Sequence, residues 1–158
     1  DRINWNGADL ILSAAHNSES LAHDLGRLAS ERHVLVVGMT QKDDLSESIE
    51  PLLNHGGRIQ TIVTEVHGGR NPSVPIGQLS ERLTDQSESP PLLIPDPTDA
   101  IDEASRVARE ECCTVFVTGS VYLVGRAIEE IVTREKLSLW ESLRAHTPAD
   151  SGRGHSEM

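Results

Sequence analysis

Polar side chains of the kinds that bind anions or move protons directly follow several predicted buried strands. They are His16, Lys42, Arg70 and Ser120. An imidazole exchanges a proton near neutral pH, cations bind carboxylates and phosphates, and a serine that opens a helix can hold an anion together with free amide groups. Because the carboxyl ends of parallel strands meet at one edge of a sheet, here called the carboxyl edge, we expect these residues to converge there. Apart from Asp43, this set offers no carboxylate for metal or acid–base chemistry and no nucleophile beside a base.

Each of these residues also has an explanation that needs no ligand. Ser120 would serve as the N-cap of the helix that follows it, and His16 would be satisfied by nearby backbone groups. Lys42 and Asp43 would form a solvated helix start in which the aspartate is the cap. Arg70 stands in a glycine-rich loop, where an arginine is usually solvated. The residue types alone leave both explanations open.

The stretch 8–20, ADLILSAAHNSES, positions the first of these residues. An apolar run predicts a strand, the small residues from Ser13 onward allow close approach of the backbone, and Asn17 or Ser18 caps the next helix. His16 is then left at the carboxyl end of the strand. This segment therefore predicts a strand, a tight turn and a helix, with the turn at the edge of the sheet where ligands bind.

The remaining elements follow from turn residues and hydrophobic spacing. An Asn-Gly pair at residues 6 and 7 predicts a hairpin, which gives the sheet an antiparallel edge strand. The other predicted strands are 33–38, 59–66, 92–94 and 114–119. Helices are predicted to begin near Ser18, Asp44, Pro75, Asp96 and Val121. In the last of these, the expected buried stripe consists of Val121, Val124, Ile128 and Ile131.

This alternation predicts an α/β fold, a Rossmann-like doubly wound sheet that is mostly parallel. We expect about six strands, one of them an antiparallel edge strand, with helices on both faces. The predicted domain covers residues 1–134. Residues 135–158 are predicted to form a short helix capped by Ser138 and Glu141 and then a disordered tail. Because no capped element precedes the first strand, the chain is expected to be part of a longer protein.

Composition excludes several classes of function. A formal net charge of −11 with only one Phe and one Tyr argues against a nucleic-acid partner. No apolar run approaches the roughly 20 residues that cross a bilayer, so no membrane association is expected. The two cysteines are adjacent and cannot staple distant segments, which favours a cytoplasmic location. Neither the P-loop motif G-x-x-x-x-G-K-[ST] nor the dinucleotide-binding motif G-x-G-x-x-G is present. We therefore expect the carboxyl edge to be half of a ligand site that another domain completes.

Four motifs in this sequence resemble those of the Mur ligase family. They are A-A-H-N at 14–17, K-D at 42–43, G-R at 69–70 and V-T-G-S-V-Y-L-V-G at 117–125. Their order over about residues 2–134 resembles the carboxyl-terminal domain of folylpolyglutamate synthases and dihydrofolate synthases. The last motif is the most specific of the four.

The resemblance implies an ATP-dependent amide ligase that adds L-glutamate to a folate or dihydropteroate carboxylate through an acyl phosphate. ATP and Mg would be held mainly by a central ATPase domain that this chain lacks, so the isolated domain is expected to be inactive. Carried over by motif, His16 would be catalytic, and no residue would be a metal ligand. The substrate-binding residues would be Ser120, Tyr122 and Arg70. The nucleotide-binding residues would be Ser13, Asn17, Lys42 and Asp43.

The first motif departs from the family pattern D-G-A-H-N-P. Ser13 stands where the family has an aspartate that contacts the ATP ribose, and Ser18 stands where it has a proline. A serine keeps a hydrogen bond but loses the charge-assisted contact, worth about 1–2 kcal/mol. The second hypothesis is therefore a degenerate, non-catalytic binding or scaffolding domain of the same fold.

Overall fold

The structure, a computed structural model, describes residues 2–15, 17–28, 31–42, 44–84 and 90–156. The strands are β1 (Arg2–Trp5), β2 (Ala8–Leu12), β3 (His33–Val37), β4 (Arg58–Val63), β5 (Leu92–Leu93) and β6 (Thr114–Thr118). The helices are α1 (Ser18–Gly26), α2 (Leu45–Asn54), α3 (Ile76–Leu83), α4 (Pro97–Glu111) and α5 (Val121–Ser156).

The sheet has the strand order β1-β2-β6-β3-β4-β5, and only β1 is antiparallel to its neighbour. The hairpin between β1 and β2 turns at Asn6 and Gly7, which both have positive φ. This is the conformation that an Asn-Gly pair favours, because it matches the twist of the two strands. The predicted fold class, a mostly parallel six-stranded sheet with one antiparallel edge strand, is confirmed.

Helices cover both faces of the sheet. Helices α1, α2 and α3 share one core with the sheet, which includes Phe116 from β6 and Leu35 from β3. On the strands, side chains alternate between the two faces, and α4 packs against β2, β3, β4 and β6. Alanines at positions 100, 104 and 108 of α4 are fully buried, which allows this helix to approach the strands closely. The central strands β3 and β6 are buried throughout, as their continuous apolar sequences predict.

The start of α5 differs from its predicted stripe. Val121 and Ile128 are exposed, whereas Leu123, Val124 and Ala127 are buried. Apolar residues occupy both candidate stripes here, and hydrophobic spacing alone cannot choose between them. The expected stripe is therefore wrong at Val121 and Ile128, two of its four positions, whereas Val124 and Ile131 are buried as predicted.

Two compact units divide the chain, residues 1–127 and residues 128–158. The second unit continues α5, whose backbone is helical to Ser156, whereas the sequence predicts a separate short helix and a disordered tail after Arg134. No glycine or proline lies in 127–147 to stop the helix at that point. The domain boundary at residue 134 stays a prediction. Among the described helices, none is long and apolar enough to cross a membrane.

Candidate ligand-binding site at the carboxyl edge

The carboxyl edge is built by the segments that follow β2, β6, β3 and β4. These strands are parallel neighbours, so Ser13, Ser120, Lys42 and Arg70 all follow strand ends on the same side of the sheet. His16 and Asp43, which were also predicted from the motifs, lie outside the described residues. The structure therefore brings four separate parts of the sequence to one edge.

Two glycines set how closely the segments approach each other. Gly119 has a φ of +115°, and a Cβ atom there would lie 2.3 Å from the carbonyl oxygen of Gly38. A Cβ atom on Gly38 would lie 2.9 Å from the carbonyl oxygen of Thr64. Because only hydrogen fits at these positions, the backbones that follow β6, β3 and β4 are in direct contact.

Ser120 caps α5. Its Oγ accepts a 3.1 Å hydrogen bond from the amide of Tyr122, and its carbonyl accepts one from the amide of Val124. Ser120 is 6% exposed, so the hydroxyl sits at the edge of the buried region. The capping role expected without a ligand is therefore present. Among the described residues none accepts a hydrogen bond from the Ser120 hydroxyl, and the first amides of α5 point towards the same edge.

The ring of Tyr122 lies against a glycine-rich loop. A Cβ atom on Gly69 would be 3.3 Å from Tyr122 Cδ2 and 3.3 Å from Thr40 Cγ2, and one on Gly68 would be 3.8 Å from Tyr122 Cδ1. Tyr122 is nonetheless 44% exposed. The tyrosine therefore links the start of α5 to the loop that carries Arg70 and keeps part of its ring open to a ligand.

The loops that carry Lys42 and Arg70 are joined by hydrogen bonds. The amide of Val74 donates to Met39 at 2.7 Å, and that of Gln41 donates to Pro72 at 2.9 Å. Asn71 Nδ2 donates to the Gln41 carbonyl at 3.2 Å. These contacts fix the two loops as one surface.

Arg70 is exposed, and no hydrogen bond or ion pair of its side chain is found within the described part of the chain. Lys42 lies in the same surface and borders an open groove of about 460 Å³ that also includes Asp44 and Arg82. The loop after β4 also carries a pair of polar side chains that the sequence prediction did not single out, with His67 Nε2 3.7 Å from Glu65 Oε1. The strand-end rule that selected Arg70 applies equally to these residues.

Ser13 is enclosed by protein. It is 1% exposed, and its hydroxyl donates a 2.6 Å hydrogen bond to Asp24 Oδ2 on α1. The same Oγ accepts from the amide of Ala15 at 3.3 Å. Asn17 caps α1, since its Oδ1 accepts from the amide of Ser20 at 2.8 Å. The carboxylate of Asp24, with a side chain 20% exposed, therefore stands closer to solvent than Ser13 does.

This edge suits the binding of an anionic ligand. It combines the cations of Lys42 and Arg70 with the helix N-terminus at Ser120 and the ring of Tyr122. Within the described residues, no group of three or more His, Cys, Asp or Glu side chains is arranged to hold a metal ion. The positive charges and amide donors at this edge are groups that can bind an anion.

The fold is a doubly wound α/β domain whose carboxyl edge carries Lys42, Arg70 and the N-terminus of α5. No protein-family model matches the chain, and no curated protein matches it in sequence. Solved structures do resemble it. Folylpolyglutamate synthase from Thermotoga maritima is 25% identical with a TM-score of 0.64, and the match covers 84% of this chain and 30% of that one.

Two further structures show the same likeness. The bifunctional folylpolyglutamate synthase/dihydrofolate synthase from Yersinia pestis, complexed with AMPPNP and a Mn ion, is 25% identical with a TM-score of 0.59, over 77% of this chain and 28% of that one. The Mycobacterium tuberculosis folylpolyglutamate synthase, complexed with ADP and AMPPCP, is 19% identical with a TM-score of 0.67. That match covers 83% of this chain and 31% of the other one. The predicted resemblance is thus confirmed, and the chain spans about 30% of the length of these proteins.

Proposed function

We propose that this chain is the carboxyl-terminal domain of a cytoplasmic ATP-dependent amide ligase that adds L-glutamate to a folate or dihydropteroate carboxylate. The likeness to folylpolyglutamate and dihydrofolate synthases supports the class of reaction. The observation that carries the proposal is the convergence of Ser120, Tyr122, Arg70 and Lys42 on one edge. These residues come from three loops, and an anionic amino acid and a nucleotide are ligands that such an edge can bind.

In the proposed reaction the substrate carboxylate takes the γ-phosphoryl group of ATP and forms an acyl phosphate with release of ADP. The amine of glutamate then attacks the acyl carbon, phosphate leaves, and the amine loses a proton. The resemblance assigns His16 to this reaction centre. The domain closes over the intermediate and excludes water, which would otherwise hydrolyse the acyl phosphate.

We assign the incoming glutamate to Ser120, Tyr122 and Arg70. The Ser120 hydroxyl and the first amides of α5 would donate to one carboxylate, which the positive end of the helix dipole favours. The guanidinium of Arg70 would bind a carboxylate bidentately. Tyr122 would position this arginine through its contact with Gly69.

We assign the nucleotide to Lys42, Asp43 and Asn17, with Ser13 acting through Asp24. Ser13 is buried and donates to Asp24. The group on this side that would accept a hydrogen bond from a hydroxyl of the nucleotide is therefore the Asp24 carboxylate. The described residues offer no metal cluster, so Mg and most contacts to ATP would come from a central ATPase domain. The chain by itself would therefore be inactive.

A non-catalytic binding or scaffolding domain is the second candidate. The observation that favours it is that Ser13 is buried and its hydroxyl already donates to Asp24, so Ser13 itself offers no group to a nucleotide. A cheap test separates the two candidates. The open reading frame should encode G-x-x-x-x-G-K-[ST] or a glycine-rich equivalent upstream of residue 1 if the chain belongs to a ligase.

The direct experiment is NMR titration of the 158-residue chain with L-glutamate, with D-glutamate as the control ligand. We expect amide shifts confined to 119–122 and 68–70. Ser120→Ala should weaken binding about tenfold, the value of one charge-assisted hydrogen bond. The matched control is Ser105→Ala, since Ser105 is buried on α4 away from this edge.

The decisive activity measurement uses the longer protein that contains this chain. ATP- and glutamate-dependent extension of a folate should be lost or strongly reduced in Ser120→Ala and retained in Ser105→Ala. Normal turnover in Ser120→Ala would remove the glutamate assignment. Absence of any ligation in the unaltered protein would favour the scaffolding candidate.

A further inference from the structure

Two adjacent cysteines lie away from the carboxyl edge. Cys112 and Cys113 are the only cysteines in the sequence, and both thiols are free. They form the connection between α4, which ends at Glu111, and β6, which begins at Thr114. The length of β6, about 15 Å, separates them from Gly119. This connection is therefore at the opposite edge of the sheet.

The backbone between the two thiols has a defined conformation. Cys112 is the C-cap of α4 in the left-handed region, with φ 53° and ψ 50°. Its amide donates to the carbonyl of Ala108, and the amide of Cys113 donates to the same carbonyl at 2.9 Å. A residue with a Cβ costs about 1 kcal/mol or more in this conformation, where glycine or asparagine is usual.

Two arginines hold this connection in place. Arg32, just before β3, donates to the backbone carbonyl of Glu111 at 3.1 Å and to its Oε1 at 3.3 Å. Arg109 donates to the carbonyl of Asn6 in the β1–β2 turn at 2.9 Å. The segment with the two thiols is thus tied to neighbouring strands on both sides, and its geometry is preorganised.

Both cysteines line an open, polar cavity of about 580 Å³, whose other walls include Asp9, Glu31 and Arg32. Cys112 is exposed and Cys113 is partly exposed. Burial raises the pKa of the Cys113 thiol, and Arg32 partly opposes this effect. The raised pKa lowers the fraction of Cys113 present as thiolate, the form that attacks an electrophile, so this thiol gives up its proton when its sulfur forms a new bond.

We propose that Cys112 and Cys113 form a vicinal dithiol site that binds a thiophilic trivalent arsenical through both sulfurs. With an arsenoxide, R–As=O, two arsenic–sulfur bonds form and the arsenic–oxygen bond breaks. The two thiol protons leave with the oxide as one molecule of water, and no electron is transferred. The second bond closes within the molecule, so its effective concentration makes the dithiol complex far tighter than a complex with one thiol.

The probe for this site is phenylarsine oxide added to the intact chain, followed by mass spectrometry under native conditions. We expect one phenylarsenic group per chain, kept in excess 2-mercaptoethanol and released by 1,2-ethanedithiol. Cys112→Ser and Cys113→Ser should each weaken retention by about 100-fold, because only one sulfur remains. Circular dichroism checks that both variants fold.

Two results would overturn the site. One is failure of the native chain to take up the arsenical at all. The other is equal retention by either single-cysteine variant. Binding in concentrated urea tests the contribution of the fold: retention should be weaker there than in the native chain, and equal retention would contradict a preorganised site.

Discussion

The hydroxyl of Ser13 at the carboxyl end of β2 donates a 2.6 Å hydrogen bond to Oδ2 of Asp24 on α1. Ser13 is 1% exposed, so the bond ties the sheet to the helix at a partly buried position. The same oxygen accepts from the amide of Ala15. A hydrogen bond to a charged group contributes about 1.5–3 kcal/mol. The pair therefore stabilises the first turn of the candidate site and fixes where its carboxylate stands.

Ser13→Ala should lower the free energy of unfolding by about 2 kcal/mol, because Asp24 and the Ala15 amide both lose a partner. Ser13→Asp should cost more at neutral pH, since it places two carboxylates within hydrogen-bonding distance of each other. Urea unfolding at constant pH measures both effects.

The double variant Ser13→Asp/Asp24→Ser is the matched control for this pair. It restores one carboxylate and one hydroxyl with their positions exchanged, so it should recover most of the stability that Ser13→Asp loses. If the double variant instead loses as much stability as Ser13→Asp and Asp24→Ser lose together, a direct interaction between the two residues is contradicted.

Gly119→Ala should prevent stable folding or lower the free energy of unfolding by more than about 3 kcal/mol. The new Cβ would lie 2.3 Å from the Gly38 carbonyl oxygen, and a φ of +115° is unfavourable for any L side chain. Thermal unfolding followed by circular dichroism is a sufficient measurement.

Gly77→Ala provides the control in α3. Nothing lies within 4 Å of a Cβ atom there, and the residue is in a helix. Alanine should raise the free energy of unfolding by about 0.5–1 kcal/mol, the usual difference between the two residues in helices. A similar loss in both variants would show that the contact between Gly119 and Gly38 is unimportant.

The sequence was sufficient for the strands, the hairpin and the shared edge. Continuous apolar runs mark β3 and β6, Asn6 and Gly7 mark the turn, and the strand-end rule needs only the order of the elements. These features depend on local sequence and on general topology, which explains why the amino-acid sequence alone predicts them.

Side-chain partnerships could not be predicted in the same way. Ser13 and Asp24 lie in different elements, and no periodicity links them. The hydrogen bonds between the loops near Gln41 and Pro72 likewise depend on how two irregular segments meet. The burial of Leu123 in place of Val121 depends on the rotation of α5 about its axis, which packing decides.

Ser105→Ala should leave stability unchanged or raise it by up to about 1 kcal/mol. Ser105 is fully buried on α4, and its Oγ has no hydrogen-bond partner within the described residues. Alanine removes a desolvated hydroxyl and favours the helix. Ser73→Ala is the contrasting variant, because Ser73 Oγ accepts from the amide of Val66 at 2.9 Å. Urea unfolding should show a lower free energy of unfolding for Ser73→Ala than for the unaltered chain.

Stability should fall when the pH drops below about 6.5, the ordinary pKa of histidine. His33 is buried at the start of β3, its Nδ1 lies 3.0 Å from the Glu31 carbonyl, and its ring centroid is 5.6 Å from that of His55. Burial lowers the pKa of His33, and the charges of His55 and Arg58 lower it further, against the opposing effect of the Glu31 carbonyl. The folded state therefore favours the neutral ring.

The direction of the change in stability with pH follows from the number of protons that the folded and unfolded chains bind. Between the lowered folded pKa and 6.5, the unfolded chain binds more protons than the folded one. Stability is therefore complete above this window and is lost as the pH falls through it. Urea midpoints measured from about pH 8 to about pH 5 should show this loss before most carboxylates titrate. In His33→Gln the decrease in this window should be reduced, and an unchanged slope would assign the effect to a different histidine.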